Sequence, residues 1–240
     1  NAPSPLYHDD TVSIKCATAN QIASSASKVH LQITNLHASA ALVGLSVSML
    51  ANPRLTTSAN IAGGATSIAV GGNVTVSIDV QMLLPFTDRP KIAITFSLEG
   101  LRQMAKVYTL ELPLSTCAYS DAATVPKETY MNKWKDLANK EIQGTFAAAS
   151  GREPSPTMLN AIRTGVFANL RVGIAQDIDA HDGVTATGCS IFRLAGATPQ
   201  GVMCRIEGSV ASGQYRVTCK CPDEAVAGAL FASLKTQLGN

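Results

Sequence analysis

"VMCRIEGSVASGQYRVTCKC", residues 202–221, alternates apolar and polar side chains on both sides of a glycine-bounded turn. Val202, Cys204 and Ile206 alternate with Met203, Arg205 and Glu207. Tyr215, Val217, Cys219 and Cys221 then alternate with Arg216, Thr218 and Lys220. Period-two alternation describes a β-hairpin with one buried face. With Gly208–Gly213 as a symmetric loop, Arg205 is expected directly opposite Arg216 on the outer face, and Lys220 two pleats further on. Like charges facing across a ladder are destabilising. One reading is that the pair waits for a partner's carboxylate or phosphate, which the planar arginine fork fits. The plainer reading is that Glu207 neutralises the pair and the face is simply solvated.

Around the hairpin the pattern is mixed. A final helix is expected from Pro222, with Asp223 and Glu224 at the positive end of its dipole and Val226, Leu230, Leu234 and Leu238 on its buried side. An earlier helix starts at Ser155-Pro156, an N-cap followed by proline at the first helical position; Leu159, Ile162, Val166 and Leu170 form its stripe. A third follows Pro126, where Met131, Trp134, Leu137 and Ala138 recur at helical spacing. Strand-like runs lie between them: "IQGTFAA", "CSIFRLA" and the hairpin itself. Residues 123–240 therefore read as an α+β platform, an antiparallel sheet flanked by helices. The polar junction "AYSDAATVPKE" puts the boundary near residue 122.

Residues 11–122 read differently. Val12/Ile14/Cys16, Val29/Leu31/Ile33, Leu45/Val47/Met49, Val74/Val76/Ile78/Val80, Ile92/Ile94/Phe96/Leu98 and Tyr108/Leu110/Leu112/Leu114 each alternate, separated by "ANPR", "AGGATS", "VGGN" and "TDRP". Many short strands with regular turns predict an immunoglobulin-like antiparallel β-sandwich. The chain is thus expected to be two-domain, and residues 1–10, "NAPSPLYHDD", read as the remnant of a flexible hinge.

Apolar residues make up 46% of the 240 and charged residues 15%, which excludes a disordered chain. A formal charge of +2 gives no global field for nucleic acid. The longest apolar run, "ASAALVGLSVSMLA", is too short and serine-rich to cross a bilayer. Six irregularly spaced cysteines, several on apolar strand faces, read as buried thiols in a reducing cytosol. The single tryptophan, Trp134, lies between Lys133 and Lys135. The flanking lysines predict an indole at a rim, and packing between helix and sheet is the ordinary alternative.

These residues resemble the appendage (ear) domains of clathrin-adaptor large subunits, the alpha-adaptin type of the plasma-membrane adaptor above all. "KWKDL" with Glu141 is similar to the family's first platform helix and the strand after it, and "GVMCRIEGSVASGQYRVTCK" to its ligand-binding hairpin. The resemblance implies a sandwich followed by a platform that captures Asp-Pro-Phe, Asp-Pro-Trp and Phe-x-Asp-x-Phe motifs from disordered tails of endocytic accessory proteins. It implies that Trp134 stacks on the ligand aromatic, that Arg205, Arg216 and Lys220 meet its aspartate or carbonyls, and that Glu141 lines the rim. Alpha-adaptins have phenylalanine where Met131 stands, so that wall is expected to be aliphatic. His30 and Gln32 depart from the family's second site on the sandwich, which is not carried over. No cofactor, nucleic acid or membrane insertion is implied. The remaining adaptor subunits would be reached through an N-terminal part, and localisation would be cytoplasmic, at clathrin-coated pits. A beta-type or coatomer-type appendage is the nearest alternative; a structural or adhesion sandwich with disulfides is a remoter one.

An enzyme is disfavoured because His8, His30, His37 and His181 are scattered and no nucleophile elbow, P-loop or paired-carboxylate motif occurs. "DIDAHD", residues 177–182, carries cation-ligand types at a spacing that reads as a solvated acidic turn. Cys204, Cys219 and Cys221 lack the two-residue spacer usual between zinc ligands.

Overall fold

The computed structural model describes residues 3–20, 24–100, 105–175, 177–178 and 184–239. The chain divides into two compact units, Asn1–Leu84 with Asp88–Leu114, and Pro85–Thr87 with Ser115–Asn240. The change therefore falls at Ser115 rather than near residue 122.

The first unit is all antiparallel β. Its strands are β1 (Ser4–His8), β2 (Val12–Asn20), β3 (Ala26–Asn35), β4 (Leu42–Met49), β5 (Leu55–Ile61), β6 (Ser67–Ile68), β7 (Asn73–Met82), β8 (Lys91–Leu98) and β9 (Lys106–Glu111). They form one sheet in the order β1-β2-β3-β7-β5 and another in the order β6-β4-β8-β9. The alternation read from sequence decides which face is buried. Val12, Ile14, Val29, Leu31, Ile33, Val76, Ile78, Ile92 and Ile94 are all fully enclosed.

Residues 4–8, expected in a loose tether, form a paired strand instead. Its return is fixed by Asp9, whose carboxylate accepts from the Thr11 and Val12 amides at 2.8 and 2.7 Å and from the Tyr7 and Tyr108 hydroxyls at 3.1 and 2.9 Å. Burial works against this carboxylate, and the four hydrogen bonds together outweigh it and hold Asp9 below the usual range. Composition hides this, because "NAPSPLYHDD" looks polar and turn-rich while its order comes from one acid.

The second unit has β10 (Ser120–Ala123), α1 (Lys127–Asp136), β11 (Glu141–Ala147), α2 (Pro156–Ala161), α3 (Phe167–Asn169), β12 (Gly173–Ile174), β13 (Thr185–Phe192), β14 (Gln200–Ser209), β15 (Gln214–Lys220) and α4 (Glu224–Leu238). The sheet order is β10-β13-β14-β15-β11, with β12 also paired to β13. The "polar junction" is a 3-10 turn, Thr116–Tyr119, followed by β10, and so belongs to this sheet.

Helix α4 follows its sequence signals closely. Asp223 caps it by accepting from Ala225 and Val226, and Val226, Leu230, Leu234 and Leu238 are fully buried. The middle helix departs from its expected stripe. Ser155 caps it as expected, but a π turn, Ile162–Val166, separates α2 from α3. One extra residue per turn moves the buried position from Val166 to Phe167, so the stripe is Leu159, Ile162, Phe167 and Leu170.

Candidate functional site

The hairpin places the charged residues, and its register differs from the symmetric-loop expectation. The last pair is Ser209 with Gln214, so the loop is 210–213 and the ladder shifts. Gly213, at φ 63°, takes the left-handed conformation that so short a turn needs. Arg205 faces Thr218, and Arg216 faces Glu207. Three rows then cross one face of the sheet: Glu141, Lys220, Met203 and Cys189; Gln143, Thr218, Arg205 and Thr187; and Thr145, Arg216, Glu207 and Thr185.

The two arginines are diagonal neighbours that share one carboxylate. Arg205 Nη2 lies 3.0 Å from Glu207 Oε1. Arg216 meets Glu207 Oε2 through Nη2 at 2.5 Å and Nε at 2.7 Å. The expected vacant, like-charged pair is therefore already bridged from within, as the plainer reading had it. Both guanidinium groups remain about half exposed, at 45% and 53%. Beside them a polar hollow of about 240 Å³ is lined by Thr145, Ser209, Ser212 and Gln214 together with Arg216 and Glu207.

Helix α1 lies against the first row. It has ten residues and no side-chain N-cap, and Tyr130 is its only buried residue. Tyr130 packs with Ala175, Cys189 and Met203, and its hydroxyl donates to the Cys204 carbonyl at 3.0 Å. Trp134, one turn on, is partly exposed and stacks on Tyr130 with centroids 5.5 Å apart and planes 16° apart. The helical stripe is thus centred on Tyr130, a residue the sequence reading passed over. Met131 is 38% exposed and Ala138 is exposed too. Met131 and Trp134, spaced i, i+3, share one flank of α1. Tyr130 also lines an apolar cavity of about 440 Å³, together with Val125, Leu137, Cys189, Met203 and Pro222 among others.

Lys220 is not the exposed cation expected. It is only 6% exposed, pairs with Glu141 at 3.1 Å, and donates to the Trp134 carbonyl at 3.3 Å. Its ammonium also sits 4.7 Å from the indole centroid. Lys220 therefore ties β15, β11 and α1 together around the indole. Lys220→Met keeps the aliphatic stem and removes the charge. It is expected to shift the emission of the sole tryptophan and to cost about 1–3 kcal/mol in urea denaturation. Lys220→Arg is expected to preserve most of both.

All six cysteines are buried and free. Burial pushes the Cys16, Cys117, Cys189 and Cys221 thiols up to about 11, so they pack as small hydrophobes. Among the described residues no cluster of His, Cys, Asp and Glu could hold a metal, and no helix is long and apolar enough to cross a membrane. His30 meets Ser77, and His37 accepts from the Ser39 and Ala40 amides. Of "DIDAHD", only Asp177 and Ile178 are described; His181 and its neighbours lie outside the described residues.

A family model described as the C-terminal domain of alpha adaptin AP2 matches residues 118–238, half of the chain. The chain belongs to that family. The match runs from the 3-10 turn before β10 to the last residue of α4, and so takes in the whole sheet and α1. As an adaptor appendage the domain is a non-enzymatic protein-interaction module working on the cytosolic side. Among solved structures, the GAE domain of GGA2p from Saccharomyces cerevisiae is 12% identical, with a TM-score of 0.39 over 48% of this chain and 99% of that one. The yeast GGA1 GAE domain is also 12% identical, at 0.37 over 45% and 97%. The secreted serine protease VesC from Vibrio cholerae is 14% identical, at 0.30 over 80% and 34%. Superpositions at this level carry no argument about the appendage's fold or activity.

Proposed function

We propose that this appendage binds short acidic-aromatic motifs of the Asp-Pro-Phe/Trp and Phe-x-Asp-x-Phe types, and that it does so on the sheet face that carries α1. The single observation behind this is spatial: a partly exposed indole lies beside one end of a sheet face whose next two rows hold exposed arginines. Rows on one face are about 7 Å apart, since two residues of strand separate them. The Arg205 row is thus about two extended residues from the Lys220 row beside which Trp134 lies, a spacing of the order of that between acid and aromatic in Asp-Pro-Phe.

In this reading the ligand aromatic packs on the exposed surface of Trp134 and on Met131, and its acid meets Arg205 and Arg216. Glu141 and Lys220 hold the indole in place instead of touching the acid. The first unit is the immunoglobulin-like sandwich and the second the platform of a two-domain ear. The partners are disordered tails of endocytic accessory proteins, met at the plasma membrane in coated pits. Burying one aromatic contributes about 1.5–3 kcal/mol, and ordering a flexible segment offsets several. Single motifs are therefore micromolar binders or weaker, and repeats supply avidity.

Arg216→Glu tests the reading. Calorimetry with an acidic-aromatic peptide and with the same peptide carrying Asn for Asp should show a larger loss for the acid. Equal losses would remove the carboxylate from the interaction.

A further inference from the structure

Each of the three basic residues in these rows is already paired with a carboxylate. Lys220, itself buried, has Glu141. Arg205 and Arg216 share Glu207, at the surface, and the two cases differ in consequence. The Lys220 ammonium is buried and also bound to the α1 backbone, so a ligand's acid does not reach it, although Glu141 itself is exposed. The Glu207 bridge joins two half-exposed arginines, and ion pairs of that kind are weak and readily exchanged.

We infer that Glu207 determines the specificity of this face by acting as an internal competitor for the ligand's acid; the inference rests on the peptide reading above. The register puts it in that role. Glu207 faces Arg216 across the ladder and shares its strand face with Arg205 two residues away, so one carboxylate reaches both guanidinium groups. It occupies the position an incoming aspartate would take, through the same fork geometry.

Two consequences follow from charge alone. The triad carries +1 rather than +2, so its attraction for a distant acid is halved. A ligand with a single carboxylate exchanges one carboxylate for another and gains little. A second acid on the ligand gains less still, because the first already balances the +1 of the triad; a neutral polar flank can use the hollow beside Arg216, with Thr145, Ser209, Ser212 and Gln214 around it. The face thereby gains little from one incidental acid and disfavours clustered acids.

The test uses the intact 240-residue chain and synthetic peptides in calorimetry: one aromatic peptide with one Asp, one with two, and one with Asn in place of both. Glu207→Gln keeps shape and removes charge. It is expected to tighten the single-Asp peptide about three- to tenfold and to leave the Asn peptide unchanged. The gain should fade as salt is raised toward 1 M, where screening reaches about 3 Å; a packing effect would not fade. Glu207→Ala should give the same order of peptides, which guards against an artefact of the amide. The second Asp should add less in wild type than in either variant, whose two arginines together carry +2. If Glu207→Gln leaves the single-Asp peptide unchanged or weaker while Trp134→Ala weakens every peptide, the competitor role is wrong and the peptide site stands. If Trp134→Ala alters nothing, or no peptide binds in any variant, the peptide reading fails and this inference falls with it.

Discussion

Trp134→Ala is expected to abolish detectable binding of Asp-Pro-Phe and Asp-Pro-Trp peptides while leaving the sheet folded. The indole is partly exposed beside the sheet face that holds the arginine rows, and the aromatic contact it offers is worth about 1.5–3 kcal/mol. That corresponds to roughly ten- to hundredfold in affinity, enough to move a micromolar interaction out of a calorimeter's range. The structural cost is smaller. Trp134 is not part of the enclosed core: Tyr130, Ala175, Cys189 and Met203 form the cluster, and the indole packs on its edge. The stack on Tyr130 accounts for about 0.5–1.5 kcal/mol, and the Lys220–Glu141 pair stays in place without it. Circular dichroism should be unchanged, and urea denaturation should show a loss well short of unfolding. Undiminished peptide affinity in the folded variant would leave the site without its aromatic half.

Why some of this could be read from sequence and some could not comes down to which forces are local. Val74, Val76, Ile78 and Val80 declare a buried strand face because side chains alternate at every residue, whatever the neighbours do. Val226, Leu230, Leu234 and Leu238 do the same for α4, helped by a cap at Asp223 that sits beside them in the chain. Several departures are matters of phase. A hairpin loop two residues shorter than assumed moved Arg216 from Arg205 to Glu207, and with it turned a vacant pair into a bridged one. A single π turn moved the buried side chain from Val166 to Phe167. In α1 the pattern Met131-Trp134-Leu137-Ala138 fitted a helical stripe as well as Tyr130-Trp134-Leu137 does. What decides between them is that the Tyr130 hydroxyl reaches Cys204, 74 positions away. The i, i+4 aromatic pair Tyr130–Trp134 is the local signal that favours the second pattern. Lys220 shows the same limit for charge. A lysine on the polar side of an alternating strand reads as exposed, but α1 covers that end of the face, and only the fold reveals the cover.

The second large effect belongs to Tyr130. A ten-residue helix without a side-chain cap is marginal by itself in water, and α1 has one buried residue holding it to the sheet. Tyr130→Ala removes that anchor at a place where the protein cannot close up, because the ring already borders an apolar hollow of about 440 Å³. Truncating a buried aromatic costs about 3–5 kcal/mol, toward the upper end where the site does not collapse. Against a total stability of about 5–15 kcal/mol that is a large share. Tyr130→Phe separates the ring from its hydroxyl. It keeps the packing and the surface under Trp134, loses the bond to the Cys204 carbonyl, and should cost only about 0.5–1.5 kcal/mol. In urea denaturation the two variants should therefore differ by about 1.5–4.5 kcal/mol. In peptide titrations at a temperature where both remain folded, Tyr130→Phe should bind like wild type and Tyr130→Ala should bind weakly, since the indole has lost the ring that orients it. Equal stability of the two variants would mean that α1 is held by something other than this ring, and retained binding in Tyr130→Ala would mean that Trp134 finds its position without it.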